Sequence, residues 1–210
     1  MTRWQLISLL ALIMLGAVFS YLLKDTGTIG RSIVHSASAN LILQDKESPQ
    51  LTHGDGNLTV VIFTDYQCPS CKVADSALQR AIARDGDVRV IYKDWPIFGE
   101  SSLKAAKVAL AAHRQGVYFP VHRFLMKSAQ VDDTALRTSV EIAGGNWEQV
   151  EADLLDHGTQ IVRQLEANDR DAFSLGLQGT PGYLIGSLLV EGALTEREFT
   201  RAFKQARAEP

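Results

Sequence analysis

Cys68 and Cys71 are the only cysteines in 210 residues, and only Pro69 and Ser70 separate them. Two scattered cysteines would mean little, but a Cys-Pro-Ser-Cys element is a pair able to make and break a disulfide. Proline favours the first helical position, so Pro69 at N1 makes Cys68 the N-cap and Cys71 the N3 residue. There the Cys68 sulfur meets the free N–H groups of Ser70 and Cys71 and the positive end of the helix dipole. Both favour a thiolate, so Cys68 is expected to ionise below the free-thiol value of about 8.5. Thiolate attack drives thiol–disulfide exchange. Cys68 is therefore the expected nucleophile, acidic and exposed, and Cys71 the shielded thiol that resolves the mixed disulfide.

Blander roles fit the pair less well. A disulfide closing so short a loop removes little entropy from the unfolded chain. Structural zinc takes four ligands, there is no second Cys-x-x-Cys, and His35, His53, His113, His122 and His157 lack ligand spacing. No metal site is assigned. A module in which the two thiolates capture a soft cation such as Cu(I) is the rival from outside enzymology. The exchange reading needs no cofactor beyond the Cys68–Cys71 disulfide itself.

The elements around the pair can position it. Leu58–Thr64 is a short apolar, β-branched run that reads as a buried strand. After the cysteines, Val73, Ala74, Ala77, Leu78, Ala81 and Ile82 recur at helical spacing up to Asp85-Gly86, and Val88–Tyr92 is a second strand. Strand, helix and strand with short connections predict a βαβ unit and a parallel pair. Helical stretches follow near 102–114, 119–128, 133–143, 147–156 and 159–175, with a capping box at Asn146 and Gln149 and a stop at Gly144-Gly145. Strand character returns after Gly179-Thr180-Pro181-Gly182, where Gly186-Ser187 signals a hairpin. A last helix begins near Thr195 with Phe199 and Phe203 on one face. The layout is βαβ, a helical insert at about 101–178, then ββα: an α/β thioredoxin-like fold with an inserted helical subdomain.

Ahead of this body, Trp4–Leu23 is 20 residues without a charge. At about 1.5 Å per residue such a helix spans about 30 Å, a bilayer core. It reads as an N-terminal transmembrane helix (1–23) in preference to a cleaved signal, because the best small-x-small site, Ala37-Ser38-Ala39, lies far downstream. Arg3 and the α-amino group favour a cytoplasmic N-terminus and an exported body. Residues 24–56 read as a linker, with a short edge strand at Asn40–Leu43, and 57–208 as the folded domain. The formal net charge of −3, without a polybasic tract, argues against nucleic acid.

FTDYQCPSCK and, far downstream, GTPGYLIG resemble the DsbA-like family of thioredoxin-fold thiol–disulfide oxidoreductases. With YKDWPIFG and VEGA, the resemblance is closest to its ScsC-type branch and covers about residues 57–208. It implies a bacterial envelope protein; together with the uncharged stretch, the chain is expected to be single-pass in the cell membrane with its catalytic domain on the periplasmic side. Cysteine-containing exported proteins would be its substrates and a membrane redox protein its partner, with isomerase or reductase action as the alternative direction. It also implies that Thr180 and Pro181 face the cysteines, with Pro181 in cis, and hold an extended substrate peptide.

Two positions depart from the family pattern. Ile62 stands where thioredoxin and DsbA carry a buried acid, leaving Asp65 as either a strand-end cap or a carrier of the Cys71 proton. Ser70 stands where DsbA has histidine. Without that positive neighbour the Cys68 thiolate, and so the reduced form, is expected to be less stabilised than in DsbA. The expected potential then lies between about −120 and −270 mV. His122 reads as a packing or surface residue. Trp95 and Phe98 read equally as groove or as core.

Overall fold

A computed structural model describes residues 27–209 and, nearer the N-terminus, residues 4, 5, 9 and 12–18. Six strands form one sheet: β1 (Arg31–Ser32), β2 (Gln50–His53), β3 (Leu58–Thr64), β4 (Val88–Asp94), β5 (Gly182–Ile185) and β6 (Leu188–Glu191), in the order β1-β6-β5-β3-β4-β2. β3 and β4 are parallel, Leu58 facing Val88 through Thr64 facing Asp94, and every other pair is antiparallel. The expected βαβ unit is therefore the centre of the sheet, closed by α2 (Pro69–Asp85).

β3 has no solvent face, and its alternation sorts side chains between two cores. Val60 and Ile62 join the cluster beneath α2 and α8 (Glu196–Ala208), where Phe199 and Phe203 are fully buried. Val61 and Phe63 join the opposite cluster, covered by α1 (Ala37–Leu43) and the end of α7 (Gly158–Leu175). Between β4 and β5 runs the helical insert: α3 (Glu100–Arg114), α4 (Tyr118–Lys127), α5 (Asp133–Ile142), α6 (Trp147–Asp156) and α7. The five stretches expected from periodicity are these five helices. The β5–β6 hairpin turns at Gly186-Ser187, where Gly186 has φ 54°, a conformation glycine adopts without steric penalty.

Three expectations are corrected. Asn40–Leu43 is not an edge strand but the second half of α1: the Ser36 hydroxyl accepts from Ala39 N–H, and Ala39 and Ile42, three apart, bury one face. Residues 24–56 are not a tether throughout, because from Arg31 they supply β1, α1 and β2, two strands and a helix of the fold. At Asn146 the side chain does accept from Gln149 N–H, but the reciprocal bond of a capping box comes from elsewhere: Asn146 N–H donates to Gln115 Oε1 at 2.8 Å. The full box lies at Thr195 and Glu198, opening α8. The expected membrane helix over 1–23 lies largely outside the described residues, and no described helix is long and apolar enough to cross a membrane.

The N-terminal segment is fastened by a buried cation. Lys93 on β4 is 2% exposed and pairs with Asp45, just after α1, and with Asp171 on α7 at 2.8 Å. Burial alone would raise the Asp45 carboxyl, but hydrogen bonds from Lys93 and Ser48 overcome it and hold the group at about 2. Because the folded value is depressed, this stabilisation exists above the unfolded value of about 3.9 and is lost as pH falls through about 2. Lys93→Met should lower unfolding stability at pH 7 by about 3 kcal/mol, the loss expected when one partner of a buried pair is removed. Urea melts of parent and variant at descending pH check this: the gap should close towards pH 2, and a gap independent of pH would refute the ion-pair account.

Candidate active site

β3 ends at Thr64, three residues turn the chain, and α2 opens at Pro69 with Cys68 as its N-cap, φ −73° and ψ 115°. This is the geometry that proline at N1 anticipates. The Cys68 sulfur accepts from Cys71 N–H at 3.2 Å, and the Cys68 thiol donates to the Thr180 carbonyl at 3.4 Å. The Thr180–Pro181 bond is cis, and the segment enters β5 beside β3, so the chain's two distant motifs meet at one sulfur. Both cysteines are free thiols.

Exposure departs from expectation. Cys68 is as buried as Cys71, each 2% exposed, because the Thr180 segment covers it; only Pro69 and Ser70 are open at the helix tip. Charge is nonetheless favoured at Cys68. The hydrogen bond from the Cys71 thiol, and behind it the N–H groups of Cys71 and Ser70, outweigh burial and bring Cys68 down to about 6. The Cys71 thiol is pushed far up, chiefly by donating a hydrogen bond to the Cys68 sulfur and then by burial. One sulfur ionises readily and the other holds its proton, the asymmetry that exchange chemistry needs.

Asp65 is buried, and both its carboxyl oxygens are engaged. Its Oδ2 accepts from the N–H groups of Ile97 and Phe98 at 2.7 and 3.1 Å, and its Oδ1 from Ser102 Oγ and Gln67 N–H, each at 2.7 Å. Those bonds pin the 95–99 segment and the start of α3 to the cysteine loop. Trp95 belongs to the core on the far side of the sheet, its indole N–H on Asp169 at 2.7 Å, so it lines no groove at the thiols. Phe98 is half exposed on the pinned segment. His122 is buried in α4, 3.1 Å from the Tyr66 hydroxyl. Sequence reasoning missed Tyr66, Asp75, Asp94 and Tyr118, which cluster with it. One signal was available: Asp75 is an acid on the face of α2 that carries Cys71, Ala74 and Leu78 into the core.

Among the described residues no group of three or more His, Cys, Asp or Glu side chains could hold a metal ion. Any soft cation would have to rest on the two sulfurs.

Because the Cys71 thiol is the largest influence on Cys68, Cys71→Ala should move the Cys68 midpoint from about 6 back towards the free value. Iodoacetamide rates or thiolate absorbance against pH measure this. At pH 7 the parent is mostly thiolate and the variant mostly thiol, so the variant should alkylate more slowly; an unmoved midpoint would contradict the assignment.

Residues 59–204 match the DSBA-like thioredoxin domain. A thioredoxin-like oxidoreductase from Silicibacter pomeroyi DSS-3 is 32% identical, with a TM-score of 0.75 over 80% of this chain and 97% of that one. The catalytic domain of Proteus mirabilis ScsC is 27% identical, with a TM-score of 0.73 over 84% and 98%. The probable disulfide bond formation protein D of Bacillus cereus is 25% identical over 205 residues, 90% of this chain and 92% of that protein. The chain also matches curated Na(+)/H(+) antiporters NhaA 1 of Mycobacterium, at 26% identity over 160 residues, and spans only 26% of their length. With 59–204 matched and the fold, helix cap and facing Thr180–Pro181 segment in place, this chain belongs to the DsbA-like thioredoxin-domain family.

Proposed function

We propose that the chain is a protein disulfide oxidoreductase that exchanges disulfides with cysteine-containing exported proteins through Cys68 and Cys71. The observation that carries this is the Cys68 sulfur at the α2 N-cap, bonded to Cys71 N–H and facing the Thr180 carbonyl. In the oxidising direction a substrate thiolate attacks the Cys68 sulfur of the Cys68–Cys71 disulfide, and Cys71 leaves and takes a proton. A second substrate thiolate then attacks its own half of the mixed disulfide and expels Cys68, a good leaving group because its thiol ionises at about 6. Two electrons pass from substrate to protein, and no cofactor enters. Run backwards, the Cys68 thiolate attacks and Cys71 resolves, which is reductase or isomerase action if a membrane donor keeps the pair reduced. Thr180 and Pro181 border the sulfur that forms the mixed disulfide, where an extended peptide would lie.

The same reading exports the domain and anchors it through residues 4–23, with a membrane redox protein as partner. Its support is the uncharged stretch of sequence and the exposure of Leu12, Ile13, Met14, Leu15 and Val18 on helical residues 12–18. Extraction of membranes and N-terminal sequencing of the mature protein test it; a membrane-free form beginning at Tyr21 or near Asn40 would mean a cleaved signal.

Two variants test the chemistry. Cys71→Ser should accumulate a mixed disulfide with a cysteine-containing peptide, stable in non-reducing electrophoresis, whereas Cys68→Ser should form none; adduct on Cys71 instead would reverse the roles. Ser70→His places a cation beside the thiolate and should lower the Cys68 midpoint and make the potential less negative, moving it towards about −120 mV. Equilibration of both proteins with glutathione buffers measures this. A potential unchanged or more negative would show that residue 70 does not tune the site.

A further inference from the structure

Three large apolar side chains stay open to solvent close to the cysteine element: Ile97, Phe98 and Leu103, between 37% and 52% exposed. None of them belongs to either core cluster, so packing of the fold does not account for them. Glu100, Ser101 and Lys104, all exposed, give the patch a polar rim. An exposed apolar patch rimmed by polar residues is the ordinary form of an interaction surface.

A short path of hydrogen bonds ties the patch to the reacting loop. Cys68 N–H donates to the Asp65 carbonyl at 3.2 Å. The Asp65 carboxylate in turn holds the N–H groups of Ile97 and Phe98, at 2.7 and 3.1 Å, and the Ser102 hydroxyl at 2.7 Å. The segment is also fixed where it begins, because Trp95 N–H donates to the Thr64 carbonyl at 2.7 Å and the Trp95 indole to Asp169. Residues 97–101 are thus exposed throughout on a backbone that is held in place. Apolar side chains presented in this way bind a partner with little loss of loop entropy.

Sheet topology gives the patch its place relative to substrate. β3 delivers the cysteine loop, and β4 and β5 are its two neighbours. β4 runs parallel to β3 and β5 antiparallel, so β4 ends at Asp94 and β5 begins at Gly182 at the same end of the sheet as the cysteines. The Thr180–Pro181 segment and the 95–99 segment therefore flank the loop on opposite sides. Two strand spacings separate them, about 10 Å, which an extended chain crosses in about three residues. A peptide lying along Thr180 with its cysteine joined to Cys68 continues onto Ile97 and Phe98. The first turn of α3 also borders a cleft of about 360 Å³ facing α5, lined by Ser101, Lys104, Val131, Asp133 and Leu136 among others. Leu103 lies between two of these lining residues in sequence, and Gln67, next to Cys68, donates to the Val131 carbonyl at 3.0 Å.

We propose that Ile97, Phe98 and Leu103 form a docking lip for the substrate protein, across the cysteine loop from Thr180, that selects cysteines with an aromatic or aliphatic side chain about three residues away. This assignment rests on the disulfide-exchange reading and gives it a substrate class. The occupant is an extended apolar segment of a chain that has not finished folding, because such side chains are mostly buried once a protein is folded. Its place beside the sulfur that forms the mixed disulfide favours substrate over a second copy of this chain, which would close off the thiols. The three residues bind and select; the bonds exchanged are those of Cys68, Cys71 and the substrate sulfurs.

The test uses the reduced full chain and symmetric disulfides of short single-cysteine peptides, with one phenylalanine placed at each offset in turn in a serine and glycine background. Attack by Cys68 releases one peptide thiol and attack by Cys71 the second, two electrons passing from the cysteine pair to the peptide disulfide. Oxidised glutathione, too short to reach the lip, reports on the cysteines alone. Phenylalanine about three residues from the cysteine should raise kcat/KM about tenfold over the all-serine peptide, through a lower KM. Phe98→Ser and Leu103→Ser should each reduce that preference, and the double variant should bring it within about twofold of none. Asp65 holds backbone N–H groups and not these side chains, so the segment stays in place. Leu155→Ser, at an exposed apolar residue of α6, should keep the full preference. A parent with no preference at any offset would overturn the lip, as would a preference that survives in the double variant. Equal losses with oxidised glutathione and with the phenylalanine peptide would also overturn it, being the mark of a structural role. If the double variant does not fold, Phe98→Ser decides alone. A parent that reduces no disulfide at all would overturn the exchange reading itself, a separate outcome.

Discussion

The hydrogen bond from Cys71 N–H to the Cys68 sulfur, 3.2 Å long, is where backbone geometry becomes chemistry. An N-cap accepts from the first turn of its helix, and here the accepting atom is a thiol sulfur shifted towards ionisation. The sulfur is nearly closed off from water, so solvent contributes little to holding its charge, and the helix end and Cys71 do so instead. Much of the fold can be understood as keeping that helix end fixed. β3 delivers the chain to it, Asp65 clamps the following loop to the 95–99 segment, and β5 carries Thr180 to the other side of the sulfur.

That arrangement also separates the two thiols in character. They lie one helical turn apart and are equally buried, yet one is driven down and the other up. The difference is directional: N–H groups point at Cys68, whereas Cys71 keeps its proton and donates a hydrogen bond to its neighbour. A helix begun one residue later would place a different side chain at the cap and lose the asymmetry. Pro69, with its fixed φ and missing N–H, marks the starting point.

The helical insert has a second use beyond covering the sheet. α4 brings Tyr118 and His122 against Tyr66 and Asp94, so the polar groups below the thiols come from the β3–α2 loop, β4, α2 and α4. A buried polar line of this kind is stable only when its members satisfy one another. One carboxylate oxygen, Asp94 Oδ2, remains unsatisfied, and it is the feature of the core least explained by stability alone.

The sequence by itself determined the parts that local rules govern. Cys-Pro-Ser-Cys after an apolar run placed the helix cap at Cys68, the apolar, β-branched run Leu58–Thr64 announced a buried strand, and apolar periodicity marked all five helices of the insert, because each of these is decided within a turn or a pleat. What only the tertiary structure decided involves residues far apart in the chain. Arg31–His53 looked like a linker because β1 and β2 are short edge strands, and their evidence lies in partners on β6 and β4. Leu41–Leu43 looked like a strand because three apolar residues have no period, and a cap at Ser36 with packing on one face made them helix. Cys68 was expected to be exposed because nothing nearby covers it; its cover is Thr180, 112 residues away. Asp94 follows a lysine in an ordinary-looking strand end. Only the pairing of Thr64 with Asp94 and the arrival of Tyr118 turn it into a buried acid beneath the active-site helix.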